Sequence, residues 1–205
     1  MAYKKVYLIR HGQTKGNAEK RFIGKGIDEP LSDTGKEEAT SLRKKHGSWT
    51  GDLPDRICAS SMRRAIETGT ILYDTKDIRL IDELKEMDFG LFEGKNHQEL
   101  DGDPAYQAWI DAGGKGLIPG GEDFEGFCER SFAGFQKALG DPAQEETLAV
   151  ICHGGTVMAV MSRLTGEEFY DFMTENLGGY CLELECGHEG IDLISYDSLL
   201  SGDRS

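Results

Sequence analysis

The sequence predicts an α/β fold, a three-layer αβα sandwich in which a mostly parallel central sheet has an antiparallel edge strand. Short apolar runs alternate with segments of helical periodicity, a pattern that covers both faces of such a sheet with helices. Two of these runs, Val6–Ile9 and Ala149–Cys152, end abruptly near a histidine followed by glycine, as buried strands do when they break into loops. The length of 205 residues suits a single domain, and we assign 1–205 to one.

Six strands and five helices account for most of the chain. The strands are predicted at Lys5–Arg10, Asp55–Ala59, Ile78–Leu80, Thr147–Cys152, Cys181–Glu185 and Asp192–Tyr196. The helices are predicted at 34 to about 45, Arg63–Tyr73, Ala105–Ile110, Glu122–Leu139 and Thr156–Leu164. Thr34 has capping-box spacing to Glu37, and Ser32 competes with it as the cap of the first helix. The aromatic stripe of Glu122–Leu139 is interpreted as core packing.

The formal net charge of −14 argues against nucleic acid and anionic membrane surfaces as partners. No apolar stretch approaches the roughly 20 residues of a membrane span. The five cysteines are odd in number and form no C-x-x-C motif, and the N-terminus lacks the pattern of a signal peptide. We therefore expect reduced thiols and a cytoplasmic protein.

Arg10, His11 and Gly12 stand where the first strand ends, and His153 and Gly154 stand where a later strand ends. In open α/β sheets, ligands bind beyond the carboxyl ends of strands. Arginine offers a fork that matches two phosphate oxygens, histidine serves as nucleophile or proton carrier, and glycine allows close backbone approach. The pattern therefore predicts a phosphate-handling site.

Two other chemistries compete for these histidines. Metal ligation by His11 and His153 lacks any H-x-x-H, H-x-x-x-H or H-x-E spacing, and the nearby arginines would oppose a cation. A Cys152–His153 nucleophilic pair is disfavoured because neighbours on a strand point to opposite faces. The other histidines, His46, His97 and His188, are expected at the surface.

The chain resembles the histidine phosphatase superfamily, the phosphoglycerate-mutase-like enzymes, over nearly its whole length. The resemblance starts with Arg10, His11, Gly12, Thr14 and Asn17. Its further motifs, in order, are Arg21–Gly24, Pro30–Ser32, Ser60–Ala65 with Thr68, Glu86–Gly90 with Glu93 and Gly94, Pro119–Glu122 and His153–Gly155. Each motif alone is weak, but their order and spacing are highly specific.

The resemblance implies a phosphohistidine mechanism without metal or cofactor. It assigns His11 as the nucleophile, with a backbone carbonyl fixing its tautomer, and His153 as a group that stabilises the phosphate. Arg10, Asn17, Arg64 and Gly154 are expected to bind the phosphate, and Glu86 is expected to be the proton donor. The neighbouring Arg63, Glu83 and Asp88 are expected to have surface or loop-capping roles, although assistance to Glu86 from Glu83 or Asp88 stays open.

The motifs Glu86–Gly90 and Pro119–Glu122 are similar to those of the phosphatase branch, which includes the α-ribazole phosphatases. The implied reaction is hydrolysis of a small-molecule phosphomonoester, with mutase activity as the alternative and a non-catalytic phosphate-binding domain as a remote one. Against mutases, the 101–122 segment holds Lys115 as its only base. Phe92 departs from the branch, which commonly has tryptophan there.

The segment at about 95–121 is predicted to be an insertion that covers the site like a lid. Its Tyr106 and Trp109 are interpreted as packing the short helix, with stacking on a substrate as the alternative. The segment has no readable code for a substrate, and the sequence leaves monomer and homodimer equally open.

Overall fold

A computed structural model of the chain describes residues 1–46, 53–187 and 190–199. Six strands are present there: β1 (Ala2–Arg10), β2 (Arg56–Ser60), β3 (Arg79–Ile81), β4 (Glu146–Cys152), β5 (Gly179–Gly187) and β6 (Gly190–Ser198). The helices of the same residues are α1 (Lys15–Ala18), α2 (Asp33–His46), α3 (Arg63–Tyr73), α4 (His97–Leu100), α5 (Pro104–Asp111), α6 (Phe124–Leu139) and α7 (Gly154–Thr165). The strands and longer helices confirm the predicted elements, with small shifts at their ends.

The six strands form one sheet in the order β3-β2-β4-β1-β5-β6. Strands β3, β2, β4 and β1 pair in parallel, and the register sets Arg10 opposite Cys152 at the ends of β1 and β4. Strand β5 pairs antiparallel with both β1 and β6, so antiparallel pairing occupies one edge of the sheet. The predicted fold class is confirmed.

Helices cover both faces of the sheet and give the sandwich its two cores. On one face, Val6 and Leu8 of β1 pack with Phe135 of α6 and Val160 of α7. On the other face, Tyr7 and Ile9 pack with residues of α2 and α3 such as Ala39, Ala65 and Leu72. Because successive β1 side chains alternate between the faces and all four are buried, the strand reads as a continuous apolar run.

A third cluster packs beside the sheet and joins the 95–121 segment to α6. It contains the buried Phe92, Tyr106, Trp109 and Phe127. The rings of Tyr106 and Trp109 stack with centroids 5.8 Å apart, and both contact Phe92 edge-on. Tyr106 and Trp109 therefore pack in this cluster as predicted, and Phe92 fills it, but this packing does not exclude contact of Trp109 with a substrate.

The structure identifies the cap of helix α2. Helix α2 begins at Asp33, and Ser32 Oγ accepts a hydrogen bond from the Gly35 N–H at 3.0 Å, so Ser32 is the cap and Thr34 lies inside the helix.

Of the three histidines expected at the surface, His97 is exposed, whereas the side chain of His46 and all of His188 lie outside the described residues. All five cysteines are free thiols. Among the described helices, none is long and apolar enough to cross a membrane.

Candidate active site

The site lies where β1, β2 and β4 end side by side, because the carboxyl ends of parallel strands meet at one edge of the sheet. Strand β1 delivers Arg10 and His11, strand β4 delivers His153, and the loop after β2 leads into α3 with Arg64 in its first turn. Helix α7 begins at Gly154, directly after His153. The structure thus brings together four of the predicted site residues from distant parts of the chain.

His11 is held as a neutral imidazole with Nε2 as its unprotonated nitrogen. Its Nδ1 lies 2.7 Å from the Gly12 carbonyl oxygen, which can only accept, so Nδ1 carries the proton. Burial and the charges of Arg64 and Arg10 hold the pKa of His11 well below its usual range. This ring therefore has the tautomer and charge of a nucleophile, with the carbonyl bond that the resemblance implied.

Arg64 lies between the two histidines. Its Nε is 3.2 Å from His11 Nε2 and 3.2 Å from His153 Nδ1, and its terminal nitrogens donate to the carbonyls of Ile23, Gly24 and Ile27. The guanidinium is completely buried, and burial lowers its pKa. The adjacent Arg63 is exposed and pairs with Glu67, which confirms its surface role.

His153 follows the end of β4, and its ring contacts that of His11 with the centroids 5.1 Å apart. Its Nε2 lies 2.8 Å from Ser60 Oγ, so Nε2 donates to the hydroxyl while Nδ1 accepts from Arg64. Burial, followed by the charge of Arg64, keeps the pKa of His153 well below its usual range. Sequence reasoning listed Ser60 only within a motif and gave it no role, although its place at the end of β2 was a usable signal.

Arg10 has a hydrogen-bonding capacity that the described protein atoms do not use. Its Nη1 donates to the Thr174 carbonyl at 2.6 Å, but its buried Nε has no hydrogen-bond partner among the described residues. A Cβ at position 154 would lie 3.4 Å from this Nε, so Gly154 leaves the backbone of α7 close to the guanidinium. A buried donor without a partner is costly, and this one faces the first turn of a helix.

Glu86 borders the same site and is held by two backbone N–H groups. Its Oε1 accepts from Met87 at 2.9 Å and its Oε2 accepts from Gly155 at 3.0 Å. A Cβ at position 155 would crowd the carboxyl of Glu86 and lie 3.0 Å from the ring of Phe127, so the glycine leaves room for Glu86. The carboxyl of Glu86 is thereby tied to the same turn that carries His153.

The two neighbouring carboxylates point elsewhere. Glu83 pairs with Lys137 at 3.0 Å. A hydrogen bond from its own backbone N–H, followed by the bond from Lys137, lowers the pKa of Glu83. Asp88 Oδ1 accepts from the Gly90 N–H at 2.9 Å and its Oδ2 lies 3.6 Å from Lys25 Nζ. Surface pairing and loop capping are therefore their roles, as expected.

Asn17 closes the short helix α1 beside the site. Its Oδ1 accepts from the Thr14 N–H at 3.2 Å and from Asn176 Nδ2 at 3.1 Å, so its own Nδ2 is the end of the amide that remains to donate. Asn176 also donates to the His11 carbonyl at 3.0 Å. Thr174 and Asn176, which sequence reasoning missed, lie on a loop that only the folded chain brings to β1.

A cavity of about 290 Å³ opens beside these residues. Arg10, Asn17, Glu86 and Gly154 are among its lining residues, whereas His11, Arg64 and His153 are buried and are not part of the lining. Trp109 and Gly114 of the 95–121 segment line the wall. Part of the site thus borders a cavity close to the size of small-ligand pockets.

Within the described ranges, no three side chains of His, Cys, Asp or Glu converge as metal ligands do. Cys152 is buried in the core, where burial raises the pKa of its thiol strongly, so it does not form a reactive pair with His153.

The C-terminal edge of this α/β sheet carries two buried neutral histidines, one buried and one half-buried guanidinium, and a carboxyl. These are the features of a phosphate-handling enzyme of the phosphoglycerate-mutase-like class. The chain belongs to the histidine phosphatase superfamily (branch 1), whose family model matches residues 6–196. The matched span contains every residue of the site described above.

The relatives and solved structures agree with this assignment. The adenosylcobalamin/alpha-ribazole phosphatase of Escherichia coli K12 is 29% identical over 79% of this chain and 79% of its own length. The probable phosphoglycerate mutase of Salmonella paratyphi C is 28% identical over 78% of this chain and 74% of its own. The crystal structure of a putative alpha-ribazole-5'-P phosphatase from E. coli K-12 superposes with a TM-score of 0.80 at 25% identity and covers all of both chains.

Proposed function

We propose that this protein hydrolyses a small-molecule phosphomonoester through a phosphohistidine on His11, without a metal ion or other cofactor. The observation that carries the proposal is the tautomer of His11. The Gly12 carbonyl holds the proton on Nδ1, so Nε2 keeps its lone pair beside the buried guanidinium of Arg64. A neutral imidazole with a fixed free lone pair is a nucleophile, and flanking guanidiniums bind the dianion that it attacks.

In the first step, His11 Nε2 forms a bond to phosphorus while the bond from phosphorus to the ester oxygen breaks. The departing alkoxide takes a proton from Glu86, which becomes a carboxylate. Arg10 and Arg64 cover the phosphoryl oxygens, and Arg64 Nε transfers its hydrogen bond from His11 to one of them. His153, Asn17 and the N–H groups that begin α7 supply further stabilisation.

In the second step, the Glu86 carboxylate takes a proton from water, whose oxygen attacks the phosphohistidine. The bond from phosphorus to Nε2 breaks, inorganic phosphate leaves, and His11 and Glu86 return to their starting states. The same carboxyl therefore serves as acid and then as base. Its position beside Gly155, at the end of the cavity that Arg10 also lines, supports both uses.

Hydrolysis is favoured over mutase activity by the charges around the cavity. A mutase substrate carries a second acidic group that needs its own cation. Lys115, the only base in the 101–122 segment, pairs with Glu168 at 2.9 Å instead. The similarity to α-ribazole phosphatases makes α-ribazole phosphate the first specific ester to test.

We further propose that the segment at 95–121 acts as a lid, since Trp109 and Gly114 contribute to the cavity wall. The acidic chain, of net charge −14, suits a small substrate rather than nucleic acid or a membrane surface, and we place the protein in the cytoplasm. Activity as a monomer or a homodimer is compatible with this site, because all of its residues come from one chain.

Trapping of the intermediate tests the proposal. Native protein quenched in base after mixing with a labelled ester is expected to carry an acid-labile, base-stable phosphoryl group. His11→Ala is expected to carry none and to lose turnover, with Lys36→Ala on exposed α2 as the control that keeps both. Full turnover by His11→Ala would overturn the mechanism. If the protein isomerised 3-phosphoglycerate faster than it hydrolysed any ester, it would be a mutase. If it bound phosphate but turned over no substrate, it would be a non-catalytic phosphate-binding domain.

A further inference from the structure

The part of the cavity away from the phosphate site is lined almost wholly by apolar side chains. Its lining includes two groups of contacting rings: Phe22 with Phe89 and Trp109, and Phe169 with Phe124 and Tyr170. The rings meet edge-on, with Phe22 and Trp109 at 86° and Phe124 and Phe169 at 74°. Faces and edges of aromatic rings are the surfaces that aromatic groups pack against.

Methionines extend these walls and can adapt to the shape of a ligand. Met87, Met158 and Met173 line the same cavity, and their unbranched thioethers adjust readily and contact rings favourably. With a volume of about 290 Å³, the cavity is at the small end of ligand pockets. It therefore suits one compact apolar group in addition to the phosphate.

No arginine or lysine that lines this cavity is available to pair with a negatively charged group on the substrate, apart from the phosphate itself. Besides Arg10, which belongs to the phosphate site, the lining includes Arg21. Arg21 is bound by Glu19 at 2.6 Å, by Glu99 at 2.5 Å and by the Gly94 carbonyl at 2.6 Å. A carboxylate on the substrate would thus be desolvated against apolar walls without a partner, which costs several-fold in affinity.

Two apolar side chains at the cavity are also strongly exposed. Met173 is 69% exposed and Tyr170 is 39% exposed, so packing within the fold does not account for them. Both belong to the segment that ends at Thr174, whose carbonyl binds Arg10 Nη1. This segment links the apolar wall directly to the phosphate site.

We propose that this cavity is a subsite for the alcohol half of the ester and selects an uncharged alcohol carrying a compact aromatic group. The inference rests on the proposed phosphatase function and names its substrate class. It predicts discrimination by the part of the substrate that does not react, which raises kcat/KM for aromatic esters and excludes phosphorylated hydroxy acids and amino acids.

The test compares esters whose leaving groups are all alkyl alcohols, so that leaving-group basicity varies little. The full chain is expected to hydrolyse 2-phenylethyl phosphate with kcat/KM at least about tenfold above that for ethyl phosphate, since a buried phenyl group is worth at least that much. For 3-phosphoglycerate the value is expected below that for ethyl phosphate. Equal values for the three esters, within about twofold, would overturn the subsite.

Variants localise the effect. Tyr170→Ser and Met173→Ser are each expected to reduce the preference for 2-phenylethyl over ethyl phosphate by about threefold or more. Ile194→Ser removes an equally exposed apolar side chain from β6, outside the cavity lining, and is expected to keep the preference. A preference that both cavity variants retain in full would place the aromatic group elsewhere and overturn the proposal.

Calorimetry separates this inference from the proposed function. The phosphonates in which a methylene group replaces the ester oxygen bind without reacting, and 3-phenylpropylphosphonate is expected to bind at least about tenfold more tightly than propylphosphonate. If this difference in affinity were found but no ester produced phosphohistidine on the protein, the proposed hydrolase function would be wrong and the subsite would stand. Phosphohistidine formation with equal phosphonate affinities would do the reverse.

Discussion

Ser60 Oγ lies 2.8 Å from Nε2 of His153 and orients the second histidine of the site. The hydroxyl also accepts from the Met62 N–H at 3.3 Å, so strand β2 and the turn into α3 hold it in place. Through this contact the end of β2 determines which nitrogen of His153 faces Arg64 and the phosphate. In a buried ring, the hydrogen bond on one nitrogen sets the role of the other.

Ser60→Ala is therefore expected to lower kcat/KM by about ten- to a hundredfold, because it leaves a buried N–H without a partner and removes a contact that fixes the orientation of the ring. Ser61→Ala is the matched control, since Ser61 Oγ contacts Asp82 away from the site and its loss is expected to change kcat/KM less than twofold. Steady-state kinetics on one ester measure both. An unaffected Ser60→Ala would show that the contact does not matter for turnover.

The arginine pair gives a second prediction. Arg10→Ala and Arg64→Ala are each expected to lose about a hundred- to a thousandfold in kcat/KM, because each removes a preorganised charge that faces the transferring phosphoryl group. Arg10→Lys is expected to restore only part, since an ammonium lacks the fork that binds two oxygens.

Arg63→Ala is the control for the arginines, because its exposed pairing with Glu67 is worth little. It is expected to change kcat/KM less than twofold. Thermal unfolding of each variant separates lost chemistry from lost structure, which matters for Arg64 with its contacts to the loop at 23–27. Equal losses at positions 63 and 64, in variants of native stability, would contradict this division of roles.

The buried histidines predict how stability depends on pH. Folding holds the pKa of His11 and of His153 well below 6.5, so below that pH the unfolded chain binds protons that the folded chain does not. The stability that depends on these two histidines is therefore fully present above pH 6.5. Below that pH the free energy of unfolding falls, by as much as about 1.4 kcal/mol per pH unit for each histidine.

Urea unfolding between pH 7.5 and 5 measures this dependence. The double variant His11→Gln and His153→Gln is expected to flatten the slope, since its glutamines do not titrate. His97→Gln, which removes an exposed histidine, is expected to leave the slope unchanged. A native chain and a double variant with the same slope would show that the two rings are not held neutral.

Insensitivity to chelation is the fourth prediction. In the proposed mechanism, Arg10 and Arg64 supply the positive charge that a metal supplies elsewhere, so turnover is expected to survive prolonged treatment with EDTA within about twofold. The measurement is kcat/KM after dialysis against the chelator, with and without added Zn²⁺ or Mg²⁺. Loss of activity that either ion restores would indicate a metallophosphatase.

The sequence predicts most of this site because its signals are local. A buried strand that breaks at a glycine reveals Arg10, His11 and His153 without reference to any other part of the chain. Parallel pairing then forces their strand ends to one edge of the sheet. Arg64 and Glu86 needed the resemblance, since an arginine in the first turn of a helix and a glutamate in a loop have no distinctive spacing.

Other parts depend on tertiary contacts that leave no local signature. Thr174 and Asn176 act through a carbonyl and an amide on a loop more than 160 residues from Arg10 and His11. Phe124 and Phe127 have the helical spacing of core residues, so the pattern predicts burial but does not show that their rings also face a cavity. The order of the strands is likewise fixed by packing and not by any motif.

Glu86 carries the last prediction, because its roles in the two chemical steps can be separated by choice of ester. An alkoxide leaving group is a strong base and needs the proton of Glu86, whereas p-nitrophenolate departs with little help. Glu86→Gln is expected to slow phosphorylation by alkyl phosphates about a hundred- to a thousandfold and by p-nitrophenyl phosphate less than about tenfold. Rapid-quench measurement of phosphohistidine formation isolates this step from the hydrolysis that follows.

With p-nitrophenyl phosphate the same variant is expected to accumulate phosphohistidine, because no carboxylate activates the water in the second step. Glu83→Gln is the matched control: its carboxylate pairs with Lys137 at 3.0 Å on the surface, so both steps are expected to keep their native rates. The contacts of Glu86 with Met87 and Gly155 make the placement of the donor specific. If Glu83→Gln slowed alkyl esters and Glu86→Gln did not, the donor would be Glu83, and the segment would have to rearrange when substrate binds.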